Sequence, residues 1–159
     1  GVAVDGGDEV YIADWRNDRI QKFAPDGSFL MAFGESGSED GQFNRPADVA
    51  VDKEGLIYVA DWRNDRVQVF DAEGRFITEI IGDATLSKWG ITKLDANPDM
   101  KMQRDIAQGL EREKFLRGPM GVVVDDQDQV FIVDSQRNRI QIYRKIPPFF
   151  VGLYDGGRL

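Results

Sequence analysis

Apolar residues arrive in short runs broken by turn residues, and the runs recur in a fixed order. Val2-Ala3-Val4, ending at Asp5, is continuous and apolar, the pattern of a strand covered on both faces. Gly6-Gly7-Asp8 makes a turn into Val10-Tyr11-Ile12, which is rich in β-branched and aromatic residues. A polar loop starting at Asp14 leads to a third run, Ile20 to Phe23, and Pro25-Asp26-Gly27 turns the chain into a fourth, Phe29 to Phe33. The series repeats as Val49 to Asp52, Ile57-Tyr58-Val59, Val67 to Phe70 and Phe76 to Ile81, with turns at Lys53-Glu54-Gly55 and Ala72-Glu73-Gly74. It starts again with Val122 to Asp125, Val130-Phe131-Ile132 and Ile140 to Tyr143. Each series predicts four short strands, with the first strands at 2–5, 48–52 and 121–125 placed innermost.

The polar loops repeat as closely as the strands. Asp14-Trp15-Arg16-Asn17-Asp18-Arg19-Ile20-Gln21 returns as Asp61-Trp62-Arg63-Asn64-Asp65-Arg66-Val67-Gln68, and more loosely as Asp134-Ser135-Gln136-Arg137-Asn138-Arg139-Ile140-Gln141. Asp14 and Asp61 are 47 residues apart, and Asp61 and Asp134 are 73 apart. Four strands per roughly 40–45 residues is the period of a propeller blade. The expected class is therefore all-β: a β-propeller of three four-stranded blades in an incomplete ring. The blades cover about 1–43, 44–82 and 115–159.

The string Gly-Val-Ala-Val-Asp, then Val-Tyr-Ile-Ala-Asp, Asn17, Arg19-Ile20-Gln21 and Phe23, resembles the NHL repeat, a four-stranded blade family. The junctions Gly41-Gln42-Phe43-Asn44-Arg45-Pro46 and Phe115 to Pro119 resemble its blade-to-blade linkers. The likeness spans 1–82 and 115–143. Blade three departs from it, with Ser135 in place of the tryptophans and Arg137 in place of Asn17 and Asn64. The resemblance implies a ring that typically has six blades, so three would be about half. Their end faces are expected to be apolar and to need the remaining blades or a second copy to close the ring. The chain opens at Gly1 without an initiator Met, and is expected to be a piece of something longer.

The second interval exceeds the first by 26 residues, lying between Gly82 and Phe115, and 83–114 is read as a helical insert. Asn97-Pro98-Asp99 reads as an N-cap, a first-turn proline and an acid at the positive helix end. Met102, Ile106 and Leu110 fall on one face of a helix expected over about 98–114, weakened by Gly109. Asp99, Asp105, Glu111 and Glu113 balance Lys101, Arg104, Arg112 and Lys114, so this helix suits neither a membrane nor a nucleic acid. Leu86, Trp89 and Ile91 are expected to anchor the excursion. In an up-and-down blade the loop between strands two and three shares one end with the exit from strand four, which places the insert on the same face as the Asp-Trp-Arg loops. The apolar stripe is expected to dock on Trp62 and Trp15 as a cap over the channel, with a free partner-binding face as the alternative.

Composition narrows the chemistry. There is no histidine and no cysteine, which removes imidazole bases, His-ligated zinc, thiolates and disulfides; no cofactor is expected. A net charge of −8 argues against nucleic acid as the default partner, and no apolar stretch is long enough for a membrane span. Asp14, Asn17, Arg19, Asp61, Asn64, Arg66, Asp134 and Arg139 recur in register and are read as architecture, because a catalytic centre breaks repeat symmetry. The acidic first turns at Asp5 and Asp125 lack the ligand spacing of a calcium loop and read as turn chemistry. The candidate partner-binding residues are Trp15, Arg16, Trp62, Arg63, Gln136 and Arg137, since an indole beside a guanidinium makes a stacking platform. The reading is a binding or scaffolding module that holds a protein or peptide on its loop face. The alternative is part of a lyase- or lactonase-like propeller enzyme with catalytic residues largely in missing blades. A third is single-stranded RNA binding, which the acidic charge disfavours.

Overall fold

The computed structural model describes residues 1–146 and 149–153; the far end of the third blade's expected extent lies outside the described residues. Three antiparallel four-stranded sheets follow one another along the chain. The first runs β1 (Val2–Val4), β2 (Val10–Asp14), β3 (Arg19–Phe23) and β4 (Phe29–Phe33). A short parallel bridge, β5 (Glu35–Ser36) with β6 (Gln42–Phe43), carries the chain to the second sheet. That sheet contains β7 (Pro46–Val51), β8 (Ile57–Asp61), β9 (Arg66–Phe70) and β10 (Phe76–Ile80). The third is β11 (Pro119–Val124), β12 (Gln129–Asp134), β13 (Arg139–Ile146) and β14 (Phe149–Leu153). Each sheet keeps sequence order, so each is an up-and-down blade. Strand β7 packs against β1 and β2 on one side and β11 on the other, which puts the first strand of each blade innermost.

Period-two alternation gives every blade two apolar sides. Tyr11, Ala13 and Ile20, on the trailing side of the first blade, pack with Val49, Ile57, Val59 and Phe70 on the leading side of the second. Ala50, Tyr58, Ala60, Val67 and Val69, on the trailing side of the second, pack with Val122, Val130, Ile132 and Tyr143 on the leading side of the third. Phe43 and Leu116, from the two junctions, plug these contacts and are almost fully buried. Among the described residues nothing covers the outer sides of the end blades in this way: Val2 and Val4 are 63% and 57% exposed, and Val123 is 61% exposed. The expected flat apolar ends are present.

The insert differs from its expected form in two respects. It holds two helices, α1 (Lys88–Asp95) and α2 (Pro98–Ile106), with a single-turn 3₁₀ segment at Leu110–Glu113. The start of α2 is as expected, with Asn97 Oδ1 accepting the Met100 N–H at 3.2 Å. Its end comes earlier, at Ile106, because Ala107 turns to extended backbone at φ −67° and ψ 137°; Gly109, left-handed at φ +78°, then leads into the 3₁₀ turn. Helix α1 was not anticipated; it is capped by Ser87 Oγ, which accepts from Gly90 N–H. The second difference is the stripe, for Met102 and Ile106 are 65% and 71% exposed and Trp89 is 76% exposed. The helices pack on each other and bury nothing against Trp62. No helix among the described residues is long and apolar enough to cross a membrane.

Candidate functional site: the loop face

The loop between the second and third strands of each blade is shaped by one aspartate. Asp61 Oδ1 accepts the Asn44 N–H at 2.8 Å, and Oδ2 accepts from Asn64 Nδ2, Arg66 Nε and Gln68 Nε2. Asp134 repeats the set with the Arg117 N–H at 2.7 Å, Arg139 Nε and Gln141 Nε2. Asp14 takes Asn17, Arg19 and Gln21. Two of the arginines then reach on: Arg66 donates to the carbonyls of Glu39 and Gln42, and Arg139 to that of Phe115. In the second and third blades this constellation ties the loop to the junction that precedes its own blade.

Identical chemistry in unequal surroundings titrates differently. Donation from Asn17, helped by Arg19, holds the Asp14 carboxyl below the usual carboxylate range where its side chain is still 19% exposed. At Asp61, which solvent does not reach, burial pushes the carboxyl up against its donors. In the first turns, burial works upward on Asp5 but is outweighed by the N–H groups of Gly7 and Glu9 and the Tyr11 hydroxyl, leaving it low. Asp52 and Asp125 accept backbone N–H groups in the same turn geometry. Among the described residues no group of three or more His, Cys, Asp or Glu is placed to hold a metal ion.

A second set of contacts joins consecutive blades. Asp18 and Asp65 sit in the left-handed region, at φ +50° and +56°, which Asp tolerates better than most residues. From there Asp18 Oδ1 accepts the Arg45 N–H, and Asp65 Oδ1 the Gly118 N–H, both at 2.7 Å.

The candidate partner-binding residues divide on this frame. Trp15 is 43% exposed and lies beneath two guanidiniums, Arg16 at 5.8 Å and Arg45 at 5.2 Å from its ring centre. Arg63 stands 5.4 Å from the half-buried Trp62 ring. Trp62, Arg63 and Gln136 line a polar groove of about 420 Å³ between the second and third loops, completed by Asn44, Asp65 and Arg117. Arg137 is engaged elsewhere, donating from its terminal nitrogen to the Arg112 carbonyl of the insert. That bond, with Ile81, Arg112 and Phe115 beside Asn64 and Arg137 in one cleft, places the root of the insert on the loop face.

The side chains of Arg16, Arg45, Arg63 and Arg117 make no ion pair or hydrogen bond among the described residues, unlike those of Arg19, Arg66 and Arg139. These four guanidiniums are without an ion pair in a chain of net charge −8, while the Asp65 carboxylate lies in the same groove as Arg63 and Arg117. Sequence reasoning missed Arg45 and Arg117 because they lie in junctions that looked like linkers. Their place within two residues of Pro46 and Pro119 was the available signal.

A family model described as the NHL repeat matches residues 1–23, 43–70 and 116–143. The Drosophila melanogaster protein brain tumor is 27% identical over 147 residues, covering 90% of this chain and 11% of that protein. A streptogramin B lyase structure superposes with a TM-score of 0.57 at 13% identity, covering 96% of this chain and 39% of that one. A nidogen/laminin complex structure gives 0.56 at 18% identity, with coverages of 90% and 42%. The chain therefore spans about a tenth of the fly protein and less than half of either solved chain, and these structural likenesses speak for the fold.

Proposed function

We propose that this chain, three NHL repeats folded as consecutive propeller blades, is a binding module whose loop face holds a protein or peptide partner bearing acidic side chains. The observation that carries the proposal is the set of arginines left over by the repeat. Arg16, Arg45, Arg63 and Arg117 are held near two indoles and make no ion pair among the described residues. A guanidinium in that state offers bidentate hydrogen bonds to a carboxylate, and the tryptophans add aromatic contact area of the kind that anchors interfaces. The nidogen/laminin likeness is to a protein–protein complex, which agrees with such a use of the fold. The outer sides of the end blades make a separate demand for cover, from further blades or a second copy.

The test is selection of peptides from a displayed random library on the purified chain. Enriched peptides rich in Asp and Glu are expected, with affinity falling at least about tenfold in Arg63→Glu and Arg117→Glu chains. Arg75→Glu, in the strand-three to strand-four turn at the opposite end, should leave it unchanged. Binding that survives both loop-face variants, or a selection without enrichment, refutes the proposal. The same Trp and Arg set favours a second reading, single-stranded nucleic acid stacked on Trp15 and Trp62. A short single-stranded RNA that binds at physiological salt, where no acidic peptide does, would move the assignment there.

A further inference from the structure

We propose that the cleft at the neck of the insert is an oxyanion site, in which Arg112, Arg117 and Arg137 hold the phosphate of an aryl phosphomonoester whose ring lies against Phe115 and Ile81. The cleft, about 470 Å³, is framed by the second blade's loop at Asn64 and Asp65, the neck of the insert, and the third blade's loop at Arg137. It adjoins the groove of Trp62 and Arg63 through Asp65 and Arg117, but Arg112 and Arg137 line the cleft and not the groove.

Charge sets the valence of the ligand. Three guanidiniums share the cleft with one carboxylate, that of Asp65, and the remaining lining residues are uncharged, which leaves an excess of two positive charges. Asp65 already accepts the Gly118 N–H at 2.7 Å. The acids nearest these arginines in the chain are committed elsewhere: Glu113 to Arg104 and Asp134 to Arg139, each at 2.7 Å, and Glu111 to Lys114 at 2.8 Å. A phosphomonoester carries about −1.5 to −2 near neutral pH, and guanidinium forks match its oxygens in pairs. Arg137 is placed in advance. One terminal nitrogen donates to the Arg112 carbonyl, Nε is shut off from solvent without an acceptor, and Nη1 has no partner among the described residues. One bond thus fixes the side chain and leaves donors for a ligand. Phe115 and Ile81, on the same cleft, are 44% and 48% exposed, an apolar wall suited to a flat ring rather than to a hydrated ion.

The equivalent place one blade earlier lacks this chemistry. Asn44 corresponds to Arg117, since their N–H groups are accepted by Asp61 and Asp134 respectively. In the same register Gly34, Gln42 and Asn64 stand for Ile81, Phe115 and Arg137, and the insert that supplies Arg112 has no counterpart. The Asn64 amide is spent on Asp61 and the Gly37 carbonyl. Residues that depart from the repeat therefore converge on one cleft, as a site does and architecture does not.

Isothermal titration of the purified chain with phenyl phosphate tests the proposal, with far-UV circular dichroism to verify folding of each variant. One saturable site is expected. Arg112→Gln, which keeps the carbonyl that tethers Arg137, and Arg137→Asn, which restores the repeat, should each weaken binding at least about tenfold. Phe115→Gln should weaken phenyl phosphate and leave inorganic phosphate unchanged. Arg63→Gln, in the groove alone, should change nothing, so this site and the acidic-peptide reading fail separately. A phosphotyrosine peptide distinguishes the sources: binding tighter than that of phenyl phosphate makes a protein side chain the source, and otherwise it is a free aryl phosphate. Absence of saturable binding, or binding that survives both Arg112→Gln and Arg137→Asn, overturns the proposal. So does inorganic phosphate that binds as tightly as phenyl phosphate, since the ring would then contribute nothing. Dimethyl phosphate binding as tightly overturns it in favour of a nucleic-acid backbone.

Discussion

One arginine of the repeat occupies three environments, and removing it from each should have three different costs. The Arg19–Asp14 pair is open, with the side chains 42% and 19% exposed, whereas Arg66 and Asp61 are 8% and 0% exposed. Arg139 and Asp134 lie between, at 18% and 0%. An exposed pair contributes about 0.2–1 kcal/mol, so Arg19→Ala should be nearly silent. Arg66→Ala strands a buried carboxylate and also releases Glu79 and the carbonyls of Glu39 and Gln42. Breaking a buried pair from one side costs about 3–5 kcal/mol. For a chain of this size about 1 kcal/mol shifts the unfolding temperature by about 2–4 °C. Arg66→Ala should therefore lower it by at least about 6 °C and Arg19→Ala by at most about 4 °C, with Arg139→Ala between. Circular dichroism melts at a fixed protein concentration report the order. Equal shifts at Arg19 and Arg66 would refute the reasoning, because burial of the carboxylate would then not set the cost. Arg66→Lys separates charge from geometry: a single ammonium cannot serve a carboxylate, a second acid and two carbonyls, so it should recover only part of the loss.

The remaining predictions concern the neck of the insert, acid and the insert itself. Gly82 adopts φ +102°, and a Cβ there would lie 2.5 Å from the Leu116 backbone nitrogen, so Gly82→Ala should cost about 1–3 kcal/mol by urea titration. Asp5, Asp14 and Asp71 titrate below their ordinary value when folded, so their stabilisation is complete above the unfolded pKa of about 3.9 and is lost as pH falls through the folded values. Stability should therefore drop below about pH 4, and Asp14→Asn should flatten that slope; an unchanged slope would remove Asp14 from the account. The insert leaves and returns through one backbone neck, where Ala84 N–H donates to the Lys114 carbonyl and Leu116 N–H to that of Ile81. Replacing 85–113 by a short glycine linker should move the unfolding temperature by no more than about 4 °C and leave Trp62 emission unchanged, as no residue of α1 or α2 is buried. A red shift would restore the cap expected from the apolar stripe.

The blades were legible in the sequence because two local signals coincide there. Period-two alternation assigns the sides, and the Asp-to-Gln loop marks the same point in each blade. Helix α1 was hidden by its composition: Gly90, Ile91 and Thr92 are poor helix formers, and its cap at Ser87 lies within a stretch without helical period. The fate of Met102 and Ile106 was not legible either, because a pattern shows that a face is apolar without showing whether another element comes within reach. The face itself was half legible. The tryptophans stand out as residues, but the approach of Arg45 to Trp15, and of Arg117 to Trp62 and Gln136, is a long-range consequence of blade packing.

The third blade shows how departure from a repeat makes a site. Where Asn64 spends its amide on Asp61 and the Gly37 carbonyl, Arg137 is too long for that pocket and instead reaches the Arg112 carbonyl at the base of the insert. Where Trp62 places an indole at the surface, Ser135 draws its hydroxyl inward and donates to the Gly118 carbonyl at 2.5 Å. One exchange tethers the insert to the loop face. The other leaves no indole beside Gln136, which lines the groove together with Trp62, Arg63 and Arg117. Restoring the repeat should then reverse both effects. Ser135→Trp should weaken any ligand of the groove by filling it while leaving Asp134 and its donors in place. Arg137→Asn should release the root of the insert, read as faster amide exchange at Arg112 and Lys114, without weakening that ligand. Equal effects of the two changes on binding would mean that groove and insert form a single site, contrary to their separate contacts.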